Sequence, residues 1–152
     1  MHMADALMSP AVGTALWGSS AVAMAYSSKK VQSGLDDNKI PLMGVMGAFV
    51  FAAQMINFTI PMTGSSGHIG GGLLLSIILG PYAAFITMAS ILAIQALFFA
   101  DGGLLALGAN IINLGFFTCF IAYPYIFKPM MKSKFDEKNL FKGSLTGSII
   151  GL

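Results

Sequence analysis

The sequence contains no arginine. Its eight basic residues are all lysine, six residues are acidic, and charged side chains make up only 9% of 152 residues. A soluble domain carries roughly a quarter charged residues. That scarcity, with a hydrophobic share of 56% and a mean hydropathy of +0.79, excludes an ordinary soluble domain and points to an integral membrane protein. A net charge of +2 without arginine leaves no nucleic-acid footprint. The one cysteine, Cys119, lies in an apolar run; it cannot form an internal disulfide and reads as a small core residue. No Gly-Lys-Ser/Thr motif is present, which excludes a phosphate-binding loop, and no His-Glu-x-x-His, which argues against a membrane metalloenzyme. No acidic residue falls inside a confident apolar span, where ion-coupled carriers commonly place one. The start of the chain lacks the basic region of a secretory leader.

What is present begins with two histidines. His2 follows Met1 directly, and His68 sits in the polar break Thr63-Gly64-Ser65-Ser66-Gly67-His68. A free N-terminal amine, a deprotonated backbone amide at position two and the imidazole Nδ1 of the same residue close adjacent chelate rings. They supply three in-plane nitrogens and leave a fourth corner for His68. Four such nitrogens suit Ni(II) or Cu(II). The site needs an unacetylated amine on a retained Met1, and His2 is too bulky for enzymes that trim the initiator methionine. Against this stands the ordinary reading, in which a histidine near a terminus is solvated and one in a glycine-rich loop is a polar loop residue.

The remaining chain reads as apolar segments divided by polar loops. Ser9-Pro10 opens the first, about 10–26, with proline at a tolerated first-turn position. Ala11, Ala15, Ser19 and Ala23 recur every four residues, spacing that lets another helix approach closely in lipid. Packing within the chain and docking of a partner subunit both fit that stripe. A polar loop, 27–39, holds Lys29, Lys30 and Lys39. The second segment is expected over 41–60, a full membrane thickness. Gln54 and Asn57, three apart, would share a face near its end. With Ser66 they are candidates to orient a histidine ligand from behind; a helix–helix hydrogen bond accounts equally for the first two. Five glycines surround His68, permitting a loop that folds over something small. Apolar segments follow at 69–80, 81–100 and 109–127, the last interrupted by Pro124. Five lysines crowd 128–142. The segment from Gly143 stops after ten residues, too short to span, so the chain is expected to be cut within a sixth helix.

Lysine-rich loops stay cytoplasmic. That rule puts loops 27–39 and 128–142 inside and both histidines outside. Passing from His68 outside to Lys128 inside takes an odd number of crossings, so 69–80 is expected to cross as a short sheltered helix. The reading is a single all-α membrane domain over 1–152: a polytopic transmembrane helical bundle of about five spans plus the start of a sixth. Its N-terminus would be extracytoplasmic, in the cell membrane of a prokaryote.

Several runs carry a family resemblance: Met1-His2-Met3-Ala4-Asp5; Ile56-Asn57-Phe58-Thr59-Ile60-Pro61 leading to Ser65-Ser66-Gly67-His68; Leu79-Gly80-Pro81; and Ala100-Asp101-Gly102-Gly103-Leu104 continuing to Gly108-Ala109-Asn110. Across nearly its whole length the chain resembles the CbiM/NikM proteins, the substrate-specific membrane components of energy-coupling-factor (ECF) importers for cobalt and nickel. The resemblance implies metal ligation by Met1, His2 and His68, and Co2+ or Ni2+ as transported substrate with no organic cofactor. It also implies a membrane coupling subunit, two cytoplasmic ATPases, and often a small accessory membrane protein. The chain itself would then be a transport component and not an enzyme. The family's opening has glycine where this chain has Ala6, and its members continue well past residue 152. An ion-coupled secondary transporter and a ligand-free structural subunit are the alternatives; the latter would make His2 and His68 dispensable.

Overall fold

A computed structural model describes residues 2–34, 39–62, 65–133 and 136–151, without the side chains of Lys132 and Ser133. A 3-10 turn, Asp5–Leu7, precedes α1 (Pro10–Gln32). The Ser9 hydroxyl caps α1 by accepting from Val12 N–H, with Pro10 at the first turn. α1 runs six residues beyond the expected end and takes in Lys29 and Lys30, whose charges favour a helix C-terminus.

α2 (Lys39–Gln54) is shorter than expected. The chain leaves the helix after Gln54 and forms a two-stranded antiparallel hairpin, β1 (Phe58–Ile60) paired with β2 (Ser65–Gly67). Phe58-Thr59-Ile60 are aromatic and β-branched residues, types that suit a strand. The purely helical reading is therefore corrected at this point. Asn57 lies outside the helix, so it shares no helical face with Gln54.

α3 (Gly72–Leu79) and α4 (Pro81–Phe98) meet at Gly80, whose φ of 80° lies in the left-handed region that favours glycine. α3 buries Leu73, Leu75, Ser76 and Leu79 and leaves Leu74, Ile77 and Ile78 exposed. Beyond the 99–106 loop, α5 (Leu107–Asn110) runs directly into a π-helix (Ile111–Phe127) and then α6 (Lys128–Ser133). Its wide pitch is visible at the end, where Lys128 N–H donates to the Tyr123 carbonyl five residues back. Pro124 does not interrupt this helix, contrary to expectation; helical spans tolerate proline where local π adjustment re-satisfies the freed groups. α7 (Glu137–Ile150) begins before Gly143 and includes part of the lysine-rich segment.

Two stretches, Pro81–Phe98 and Leu107–Met131, are long and apolar enough to cross a membrane, while α2 is apolar but shorter. With the low charge and high apolar share of the sequence, these helices fit the all-α membrane class. Its core lies where α3, α4 and the π-helix meet, around fully buried Phe85, Leu75, Met88, Leu92, Ile111 and Leu114. α1 joins it through Gly108: a Cβ there would lie 2.5 Å from the Trp17 backbone nitrogen, so only glycine allows the approach. α1 packs inward with Gly13, Ser20 and Ser27. Ala11, Ala15 and Ser19 are exposed on a different face, with Ala23 half-buried at its edge.

Candidate metal centre

His2 joins the hairpin through a single antiparallel bridge to Ser66. His2 N–H donates to the Ser66 carbonyl at 3.2 Å, and Ser66 N–H returns to the His2 carbonyl at 3.4 Å. The next residues are tied to the far end of the chain. Asn110 accepts from Met3 N–H at 2.8 Å and donates to the Met3 carbonyl at 3.4 Å. Asp5 accepts from Ala106 N–H at 2.9 Å. Gly102, with φ 85°, lets the loop press on this segment; a Cβ there would lie 3.2 Å from His2 Cβ.

That docking brings the two histidines together. His2 Nδ1 and His68 Nε2 are 3.1 Å apart, with both side chains buried. Two imidazole nitrogens each ~2.0–2.1 Å from one ion, at a right angle, would be ~2.9 Å apart. The pair therefore matches two adjacent corners of a coordination square. His68 Nδ1 donates to the Ile69 carbonyl at 2.8 Å, which leaves the Nε2 lone pair directed at His2. Burial lowers the His2 pKa from 6.5 to about 4, against the opposing pull of the Asp101 carboxylate; burial lowers that of His68 as well. Both rings are neutral near pH 7, the form that binds metal.

Among the described residues no cluster of three His, Cys, Asp or Glu side chains could hold an ion. Two imidazoles alone do not complete a site, so further donors must come from elsewhere, such as main-chain nitrogen. Met1, the expected source of the amine, lies outside the described residues. The His2 amide is a hydrogen-bond donor to Ser66 in this state and would have to release that bond, and its proton, to act as a ligand.

The expected supporting residues are all nearby, with different roles. Ser66 Oγ lies 3.3 Å from His2 Nδ1 and donates to Asp101 Oδ1 at 2.7 Å. Asn57 donates to Asp101 Oδ2 at 3.0 Å. Gln54 donates to the Gly70 carbonyl at 2.6 Å, two residues past His68. Sequence reasoning missed Asp101, whose Oδ1 lies 3.1 Å from His2 Nδ1. Its signal in the sequence is a carboxylate between an apolar helix and two glycines. Asn110 and Asp5 were also passed over as site residues.

The chain matches, over residues 2–152, the family described as the cobalt uptake substrate-specific transmembrane region. It belongs to the CbiM family. A metal transport protein of Haloquadratum walsbyi is 40% identical over 123 residues, covering 81% of this chain and 56% of its own length. The cobalt transport protein CbiM of Sorangium cellulosum is 32% identical over 126 residues, covering 81% and 56% respectively. A fused nickel transport protein, NikMN of Rhodobacter capsulatus, is 34% identical over 114 residues, covering 75% and 33%. Among solved structures, a truncated transition metal transporter superposes with a TM-score of 0.88 at 34% identity, covering 99% of this chain and 70% of its own. The chain spans about half the length of the curated relatives it matches. The family assignment agrees with the resemblance carried by the quoted motifs, and it is a family of cobalt and nickel transport proteins.

Proposed function

We propose that this chain captures Co2+ or Ni2+ at the extracytoplasmic face of a prokaryotic cell membrane, as the substrate-binding component of an ECF-type importer. The observation that carries the reading is the convergence of His2 and His68 at 3.1 Å from positions 66 residues apart in the chain, where burial keeps both neutral. Met1 would add its amine and His2 its amide nitrogen; a nitrogen-only square favours Ni(II) over Co(II). Energy would come from two cytoplasmic ATPases through a membrane coupling subunit, with a small accessory protein beside them. The exposed stripe of Ala11, Ala15 and Ser19 is the candidate docking face. About five spans with both histidines outside remain the preferred arrangement.

His68→Ala should lower Ni(II) affinity of the purified protein by well over tenfold, since even outer partners of a metal ligand are worth 10–100-fold. Unchanged nickel and cobalt binding would sink the two-histidine site. Orientation is tested separately: a cysteine replacing Ser65 should react with an impermeant thiol reagent on intact cells, and one replacing Ser133 should not. The opposite pattern would place the site on the cytoplasmic face.

A further inference from the structure

Among the described residues, His2 Nε2 and Gln95 Oε1 are buried polar atoms with no hydrogen-bond partner. Gln95 is fully buried on α4, far along the sequence from either histidine. Its backbone carbonyl accepts from Asp101 N–H at 3.1 Å, and Asp101 Oδ1 lies 3.1 Å from His2 Nδ1, so Gln95 sits beside the histidine pair.

The orientation of each group follows from its neighbours. A carbonyl only accepts, so Gln54 must aim its NH2 at the Gly70 carbonyl. Gln54 Oε1 then faces Gln95, which must donate its own NH2 at 2.9 Å. Gln95 Oε1 is therefore the end that remains, and it is an acceptor that cannot flip without breaking the chain. On the other side, His68 Nδ1 is committed to the Ile69 carbonyl, so its Nε2 presents a lone pair to His2 Nδ1. The other close neighbours of His2 Nδ1 are Asp101 Oδ1, which accepts, and Ser66 Oγ, whose proton is already given to Asp101 Oδ1. A neutral His2 must then carry its proton on Nδ1, leaving Nε2 as a bare acceptor. Among the described residues, the ion-free site thus buries two acceptors, His2 Nε2 and Gln95 Oε1, with no donor for either.

We propose that Gln95, held by Gln54, is a positioning residue that makes the pocket complete only when a metal ion occupies His2 Nδ1. Binding an ion there removes the Nδ1 proton. One N–H bond breaks at Nδ1 and one forms at Nε2, so the ring stays neutral. The new Nε2–H donates to Gln95 Oε1, and both orphaned atoms gain a partner. Burying an unsatisfied polar group is costly, so the relief favours the metal-bound state. The chain Gly70–Gln54–Gln95–His2 also ties the loop carrying His68 to the opposite ligand.

This inference rests on metal binding at His2, and its test separates the two. Ring 15N spectra of the full chain, labelled at histidine, should show His2 protonated at Nδ1 without metal and at Nε2 with saturating Ni(II). Gln95→Met keeps the bulk of the side chain and removes the acceptor. It should weaken Ni(II) binding about 10–100-fold and speed exchange of the Nε2 proton, with an unchanged helical spectrum. A nickel-loaded His2 without an Nε2 proton in the unsubstituted chain would overturn the proposal even if the variant failed to fold. So would wild-type affinity in Gln95→Met. Nickel binding unaffected by His68→Ala would instead undo the metal-site reading beneath it.

Discussion

Around His2 the chain is held by directional polar bonds, whereas around Phe85 it is held by close contact. In the cap formed by residues 2–8, the hairpin and the 99–106 loop, each strand of chain is fixed by one or two hydrogen bonds, from Asn110, Asp5, Ser66 or Asp101. In the core, Phe85, Met88 and Leu114 are sealed by aliphatic and aromatic neighbours, and Gly115 lets the π-helix lie against the Phe85 ring. The difference teaches where function can be lost without loss of fold. Bonds in the cap are few and specific, so breaking one displaces a candidate ligand. Contacts in the core are many and diffuse, so only a backbone clash is felt throughout.

The largest effect expected from this contrast is in the core. Gly108→Ala drives a methyl group into the α1 backbone, which no rotamer change relieves. A loss of ~3 kcal/mol should appear as a lower thermal transition of the whole bundle by circular dichroism. An unchanged transition would mean that α1 is not locked to α5.

Asn110→Leu is the matching change in the cap. It strips both bonds from the Met3 backbone and should cost ~2–3 kcal/mol of N-terminal docking. Metal affinity should fall sharply while the thermal transition of the helices hardly moves. Parallel losses of both would dissolve the distinction between cap and core.

Acid should release the cap in a defined window. Docked His2 titrates at about 4, and an undocked, solvated imidazole at 6.5. Between those values the undocked segment binds a proton that the docked one refuses, so docking strengthens as pH rises and is lost as pH falls from 6.5 toward 4. Going from pH 7 to 5 should weaken it by ~2 kcal/mol. Trp17, whose indole N–H donates to the Leu104 carbonyl, reports on the adjoining loop by fluorescence. A signal flat from pH 7 to 4 would show that His2 is not buried as described. Smallest of all should be Met3→Leu. The bonds recorded for Met3 are main-chain bonds, to Asn110 and Gly103, so nickel affinity should change less than twofold.

The two regions were unequally legible in the sequence. His2 and His68 stood out through scarcity, and their placement by the lysine loops brought them to one face before any contact was known. α2 was extended too far because Ile56, Phe58 and Ile60 are as apolar as the helix before them; hydropathy does not distinguish a short apolar strand from a helix's last turn. Proline in Pro124 signalled a break that the π pitch absorbs. Asp101 and Asn110 were hidden for another reason. Each acts on a residue about a hundred positions away, and no local pattern encodes a partner at that distance.

The hydrogen bonds from Met3 and Asp5 to Asn110 and Ala106 also fix when the pocket comes into being. A chain is made from its N-terminus, and contacts between distant residues form only after the later one has emerged. His2 is therefore synthesised first and completed last: it waits for the hairpin, then for the loop at 101, then for α5. Until most of the chain has left the ribosome, residues 2–8 have no cradle. An ion captured as proposed would have to load after residues 2–8 have found their place among residues made long after them.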